Sequence, residues 1–157
     1  IAGGPEKCAW LKDVVGVDAA IDYKNDDLSA MIRTHCPDGV NVYFDNVGGD
    51  TLNAALQNIA LNGRIIVCGL ISTEYKNPPP PGPSHYYNLI YKRARMEGFF
   101  VWDYFEQYAD AEKVLTGWYQ QGLLKPTERV FKGLESAPEA LQSLFAGVDT
   151  GIKVIEL

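Results

Sequence analysis

The stretch at residues 41–70, NVYFDNVGGDTLNAALQNIALNGRIIVCGL, decides the fold of this chain. Residues 41–46 form a short run typical of a strand, and residues 51–60 place apolar side chains at helical spacing. Apart from Arg64, residues 63–70 are continuously apolar, which predicts a strand buried on both faces, as in a parallel sheet. Strand, helix and strand in this order predict a right-handed crossover unit.

The same alternation continues on both sides of this stretch. Upstream, helices are predicted at residues 5–16 and 27–36, with a short strand at 19–23 between them and Asp27 as a helix cap. Downstream, the pattern predicts further helices and strands in this order: helix 85–94, strand 95–104, helix 105–121, strand 127–133, helix 136–147 with Ser136 as N-cap, and strand 152–157. We therefore expect an α/β protein with a Rossmann-like, doubly wound, mostly parallel sheet.

A proline-rich segment, STEYKNPPPPGPS, occupies residues 72–84. Four consecutive prolines followed by Gly-Pro cannot join a helix or a central strand, so the segment is expected to be an exposed, semi-rigid loop. Two interpretations stay open: a polyproline II connector, or a loop that borders a ligand pocket at the end of the preceding strand.

Composition limits the classes of function. The 157 residues are 46% hydrophobic and 22% charged, which suits a single globular domain. The net charge of −6 argues against nucleic acid as a partner, and no apolar run approaches the roughly 20 residues of a membrane span. We expect a cytoplasmic protein without a membrane partner. Three scattered cysteines and two histidines lack the spacing of metal ligands, so no metal is expected.

Glycine-rich segments follow the predicted strands. They are AGGPEK at residues 2–7, DNVGGD at 45–50 and CGLIS at 68–72. Each alone is more typical of a plain turn, but three on one edge of a parallel sheet favour a common ligand groove.

The first of these segments bears on cofactor choice. In a dinucleotide-binding fold the second strand usually ends in a carboxylate that binds the adenine ribose, and here residues 2–4 are Ala-Gly-Gly. Lys7, in the first helical turn, is placed to pair with a ribose 2′-phosphate. The alternative is that Lys7 is a solvated surface lysine.

These motifs together, with RARMEGFFVWDY at residues 93–104, resemble the zinc-free branch of the medium-chain dehydrogenase/reductase superfamily. Within it the chain is similar to NADPH-dependent 2-alkenal, curcumin and leukotriene or prostaglandin reductases. The resemblance implies NADP(H) as cofactor and hydride transfer to the C=C bond of α,β-unsaturated ketones or aldehydes, small-molecule enones or enals.

The resemblance also implies roles for individual residues. Tyr75 corresponds to a tyrosine that hydrogen-bonds the substrate carbonyl, and Asp149 stands where the family often has a cofactor-contacting asparagine. The cofactor-binding positions carried over are Lys7, Tyr23, Asn46, Cys68, Gly69, Ser72, Phe99, Phe100, Val101 and Asp149. A strand at residues 95–103 is expected to pair across a two-fold axis and form a homodimer.

The family's glycine-rich turn and first strand precede the position that matches Ile1. We therefore expect residues 1–157 to be a partial cofactor-binding domain. Its last helix and strand would return toward an N-terminal, GroES-like catalytic domain of a longer reductase. In isolation this part is expected to be inactive. Two alternatives stay open, a fragment of a quinone oxidoreductase and a non-catalytic nucleotide-binding or dimerisation domain.

Overall fold

The computed structural model describes residues 1–72, 77–78, 80–147 and 150–157. The chain divides into two compact units, each built from two separate chain segments. Unit 1 contains residues 1–2 and 21–106, and unit 2 contains residues 3–20 and 107–157. Within the described ranges, no helix is both long and apolar enough to span a bilayer.

Helices and strands alternate along the described chain. In order they are α1 (Pro5–Trp10), α2 (Leu28–His35), β1 (Val40–Asp45), α3 (Gly49–Gln57), β2 (Ile59–Val67), α4 (Asn88–Tyr91), β3 (Arg95–Gly98), α5 (Tyr108–Gln120), β4 (Glu128–Lys132), α6 (Ala137–Ala146) and β5 (Ile152–Glu156). A π-helical turn at Leu11–Val15 continues α1, and 3₁₀ helices lie at Val101–Gln107 and Leu134–Ser136.

Unit 1 is centred on a parallel sheet with the strand order β1–β2–β3. Asp27 begins α2 by accepting a hydrogen bond from the Ala30 N–H at 3.0 Å, as the sequence predicts. The strand–helix–strand unit predicted for residues 41–70 is confirmed, with β2 beginning at Ile59. The parallel α/β architecture is therefore confirmed for the described residues.

The core of unit 1 lies between α3 and the sheet. Leu52, Leu56, Ile59 and Ile65 form one buried cluster, and Leu56 and Ile65 are fully buried. A second cluster joins Ile21 and Ile32 to Ala54. Burying each Leu or Ile side chain contributes about 1.5–3 kcal/mol, so this cluster holds α3 against the sheet.

Unit 2 contains a second parallel pair, β4 and β5, in which Glu128 aligns with Ile152. The helix predicted at residues 5–16 divides into α1 and the π-helical turn, and it ends at Gly16 in a left-handed conformation. Ser136 occupies the N-cap position of α6 as predicted, but its hydroxyl donates to the Gly133 carbonyl rather than capping the helix.

The strand predicted at residues 19–23 is a single parallel bridge between Ala2 and Asp22. It is short because the Asp22 carboxylate accepts hydrogen bonds from the Lys24 N–H and the Asn25 amide, which turns the chain. The helix predicted at 85–94 is likewise shortened to α4, and Arg93 beyond it has φ of 49°.

The strand predicted at residues 95–104, and with it the strand 95–103 expected at a dimer interface, ends at Gly98. The chain then turns because the Asp103 N–H donates to the Phe100 carbonyl in a 3₁₀ helix. Phe99 packs against Phe44 and stacks on Tyr104, with centroid distances of 5.8 and 5.2 Å. Ring packing explains these aromatic residues better than extension of the strand.

Candidate functional site

The three strands of unit 1 end in register. Asp45 at the end of β1 aligns with Val67 at the end of β2, and Val67 aligns with Gly98 at the end of β3. Because the strands are parallel, the loops that follow them leave from the same edge of the sheet. Seven predicted site residues lie on these loops: Asn46, Cys68, Gly69, Ser72, Phe99, Phe100 and Val101.

A groove with a volume of about 1470 Å³ runs along this edge. Its lining comes from the chain after the Ala2–Asp22 bridge, from the start of α3 and from the chain after β2. Tyr23, Asn46 and Ser72 are the predicted site residues that line it. Residues 80–84 form part of its wall, so the interpretation of the proline-rich segment as the border of a pocket is confirmed for these residues.

The loops after β1 and β2 are joined by backbone hydrogen bonds. The Cys68 and Gly69 N–H groups donate to the Asp45 carbonyl at 2.8 and 3.0 Å, and the Ile71 N–H donates to the Asn46 carbonyl. Ser72 ends this series by donating both its N–H and its hydroxyl to the Val47 carbonyl. The rim of the groove therefore consists of two loops that are hydrogen-bonded to each other.

Gly69 lies where the two loops are closest. A β-carbon at this position would be 3.0 Å from the Asn46 carbonyl oxygen and 3.4 Å from the Asn46 α-carbon. Backbone atoms cannot rotate away as a flexible side chain does, so a larger residue here would require the Asn46 backbone to shift by a few tenths of an ångström. The role of Gly69 seen in the structure is to allow this close approach.

A buried carboxylate lies beneath the groove. Asp45 is fully buried, and its Oδ1 accepts hydrogen bonds from the Val47 and Gly48 N–H groups at 2.9 Å and from the Tyr43 hydroxyl at 3.2 Å. Burial raises the pKa of Tyr43 well above its usual range, and the charge and hydrogen bond of Asp45 raise it further. Tyr43 therefore stays a neutral donor.

The predicted residues in the groove differ in what they offer a ligand. Asn46 is exposed, so its amide is accessible as both donor and acceptor. Tyr23 is about half exposed, and its backbone is held by an N–H bond to the Ala2 carbonyl. Since the Ser72 hydroxyl proton is engaged by Val47, its oxygen is left to accept a hydrogen bond.

Phe99 directly follows the last residue of β3. Its N–H donates to the Val67 carbonyl at 2.9 Å, so this N–H is part of the sheet. Phe100 is exposed and its carbonyl accepts from the Asp103 N–H. Cys68, Gly69 and residues 99–101 lie at the strand ends but outside the groove lining.

Lys7 lies in unit 2, on the first turns of α1. Its Nζ is 3.9 Å from the position that a β-carbon on Gly147 would occupy, at the C-terminal end of α6. Carbonyl groups at a helix C-terminus attract a cation. Two further predicted residues, Tyr75 and Asp149, lie outside the described residues.

The sequence reasoning did not identify Asp45 or Tyr43 as parts of the site. The signal available was an aspartate as the last residue of a strand, directly before a glycine-containing turn. Such an aspartate can accept hydrogen bonds from the turn's own N–H groups.

Comparison with known proteins gives a consistent result. A family model described as zinc-binding dehydrogenase matches residues 1–116. The chain is 44% identical over 155 residues to the 2-alkenal reductase (NADP(+)-dependent) of Nicotiana tabacum, covering 98% of this chain and 45% of that protein. It is 38% identical to (+)-pulegone reductase of Mentha piperita, with the same coverage. The chain spans about half the length of the curated relatives it matches.

A solved structure agrees with these relatives. The crystal structure of CurA from Vibrio vulnificus in complex with NADPH superimposes with a TM-score of 0.87 at 36% identity. The match covers 99% of this chain and 48% of CurA. Among the residues that the structure describes, no three His, Cys, Asp or Glu side chains come together as metal ligands.

Proposed function

The chain belongs to the zinc-binding dehydrogenase family, and on this basis we propose that the whole protein is an NADPH-dependent reductase of α,β-unsaturated aldehydes and ketones. The observation that carries the proposal is the 44% identity to a 2-alkenal reductase over nearly all of this chain. The pulegone reductase supports the same class of substrate, a ketone conjugated to a C=C bond.

NADP(H) is the proposed cofactor, supported by the likeness to CurA, which was crystallised with NADPH. The groove fits a dinucleotide because it follows the carboxyl ends of parallel strands, and its mostly apolar lining includes Asn46, Gly48 and Ser72 as small or polar groups. Asn46, Ser72 and Tyr23 would contact the cofactor from the lining. Cys68, Gly69 and residues 99–101 would hold it at the strand ends.

Lys7 is proposed to choose NADPH over NADH. Its ammonium would pair with the 2′-phosphate, and no carboxylate at residues 2–4 opposes that charge. Asp149 is proposed to lie near the cofactor; because like charges repel, either its carboxylate turns away from the phosphates or this contact with the cofactor is weakened.

When bound, NADPH supplies the hydride that the reaction needs. The chain's own groups orient the reactants and stabilise charge. Tyr75 is proposed to donate a hydrogen bond to the substrate carbonyl oxygen, where negative charge develops as the C=C bond is reduced. Residues 80–84 would limit access of water from one side of the groove.

The remaining properties follow from the same family resemblance. Residues 1–157 are proposed to be a partial cofactor-binding domain, with α6 and β5 adjoining a catalytic domain. β3 lies at the end of its sheet with all four residues exposed, which leaves an edge for a second copy and supports a homodimer through residues 95–103. The proposed location is the cytoplasm.

Purified whole protein tests the proposal. We expect a medium-chain enal to be reduced with NADPH much faster than with NADH, and faster than a quinone is reduced. A protein that oxidises NADPH only with the quinone would be a quinone oxidoreductase. If NADPH binds but neither acceptor is reduced, the domain is a nucleotide-binding module and the proposed activity is wrong.

A further inference from the structure

Asp45 is an ionisable side chain in the interior of unit 1, directly beneath the groove. It is 0% exposed, and its Oδ2 has no hydrogen-bond partner among the described residues. Burying a carboxylate with one unpaired oxygen has a high desolvation cost, and a hydrophobic residue at the end of β1 would avoid it. The feature therefore calls for a role beyond packing.

The three hydrogen bonds to Oδ1 indicate that role. Val47 and Gly48, whose N–H groups donate to it, form the turn between β1 and α3. Asn46 lies within the turn that these bonds hold, between Asp45 and Gly48, and it is an exposed residue of the groove lining. We propose that Asp45 is a positioning residue: its buried carboxylate fixes the 46–48 backbone so that Asn46 is presented to the cofactor.

The same backbone carries the second rim of the groove. Carbonyl groups of residues 45–47 accept the hydrogen bonds from residues 68–72, including both bonds from Ser72. A change in the turn would therefore displace the chain after β2 as well. Asp45 itself does not line the groove, so it acts through residues that do.

Charge adds to this positioning. The carboxylate lies at the start of α3, whose N-cap is Gly48 and has no side chain to cap the helix. A negative group is favourable near a helix N-terminus, where N–H groups lack partners within the helix. Asp45 does not cap the helix itself, because its hydrogen bonds come from the Val47 and Gly48 N–H groups that precede the first helical residue, but its charge lies beside the helix N-terminus.

The inference rests on the proposed NADPH dependence, so the experiment measures positioning and binding separately. In the whole protein, hydrogen exchange of the Val47 and Gly48 amides is measured first, without substitution. NADPH binding is then measured by fluorescence titration, and enal reduction by steady-state kinetics. The variants are Asp45→Ala, which removes the acceptor, and Asp45→Asn, which keeps an oxygen for both N–H groups. Asp38→Asn, an exposed carboxylate before β1, controls for the loss of one charge.

In the native protein both amides should be strongly protected. Asp45→Ala should weaken NADPH binding by about ten-fold and raise the NADPH KM similarly, since the Val47 and Gly48 N–H groups lose their acceptor. The kcat at saturating NADPH should change far less. Asp45→Asn should remain within about three-fold of the native values.

Three results would overturn the proposal. Unprotected Val47 and Gly48 amides in the native protein would do so even if Asp45→Ala did not fold. Unchanged NADPH affinity in a folded Asp45→Ala would show that the turn does not need Asp45. An Asp45→Asn as weak as Asp45→Ala would mean that charge, not the position of the acceptor, matters. Failure of the native protein to reduce enals would count against the proposed function and leave the exchange and binding results interpretable.

Discussion

Ser72 donates both its hydroxyl and its backbone N–H to the carbonyl of Val47, at 2.6 and 3.0 Å. These two bonds join the chain after β2 to the chain after β1 at the rim of the groove.

Ser72→Ala removes the hydroxyl bond and retains the N–H bond. We expect NADPH affinity to fall about three- to ten-fold, because a neutral hydrogen bond contributes about 0.5–1.5 kcal/mol. Fluorescence titration measures it, with Ser72→Thr as the control that keeps the hydroxyl. Equal affinity in all three proteins would contradict a role for this bond.

Gly69→Ala should destabilise the protein by about 1–3 kcal/mol, because the new methyl group meets the Asn46 backbone and one rim of the groove must shift. Thermal unfolding of the purified variant measures the loss. Gly82→Ala is the matched control, since no heavy atom lies within 4 Å of its added carbon. Similar melting temperatures for the two variants would show that the rim is loosely packed.

Tyr43→Phe should reduce the loss of stability at alkaline pH. Because the pKa of Tyr43 is raised in the folded protein, unfolded chains release its proton above about pH 10 while folded chains keep it. The contribution of Tyr43 to the free energy of unfolding is therefore fully present below about pH 10 and is lost as the pH rises further. The variant lacks this dependence, although at neutral pH it loses the bond to Asp45. Melting temperatures across the alkaline range test this, and identical slopes for both proteins would count against it.

Lys7→Ala should weaken NADPH binding by about ten-fold or more and leave NADH binding unchanged, since a bond between charged groups contributes about 1.5–3 kcal/mol. Lys12→Ala, five residues along the same helical segment, is the control. The dissociation constants of NADPH and NADH are measured for each variant, and their ratio gives the cofactor preference. An equal effect of Lys7→Ala on NADPH and NADH would rule out recognition of the 2′-phosphate.

Much of unit 1 could be predicted from the sequence because hydrophobic pattern and secondary structure agree there. Residues 65–70 are apolar without a break, and a strand within a parallel sheet suits such a run. Glycines after consecutive strands then predicted the edge at which Asn46, Gly69 and Ser72 are found. Burial on both faces is borne out only in part, because Ile65 is fully buried whereas Ile66 and Val67 are partly exposed.

The sequence pattern predicted too long a strand where aromatic side chains pack against each other after β3. Phe99 and Tyr104 have high strand propensity, yet they stack on each other beyond the end of β3. The strand predicted at residues 19–23 is shortened for a different reason. The Asp22 side chain accepts a hydrogen bond from the Lys24 N–H, and this turn competes with strand pairing.

Asp45 shows what sequence reasoning does not reach. An aspartate before Asn-Val-Gly-Gly reads equally well as a turn residue in solvent or as a buried acceptor. Only the register of β1 against β2, together with the packing of α3, places it in the interior.

The central claim is reduction of a C=C bond by this family member, and isotope transfer tests it most directly. The whole protein is supplied with an enal and with NADPH that carries deuterium at the transferable C4 position of the nicotinamide. The account predicts a saturated aldehyde with deuterium at the former β-carbon and an intact carbonyl. Deuterium on the carbonyl carbon of an allylic alcohol, or no labelled product while NADPH is bound, would contradict it.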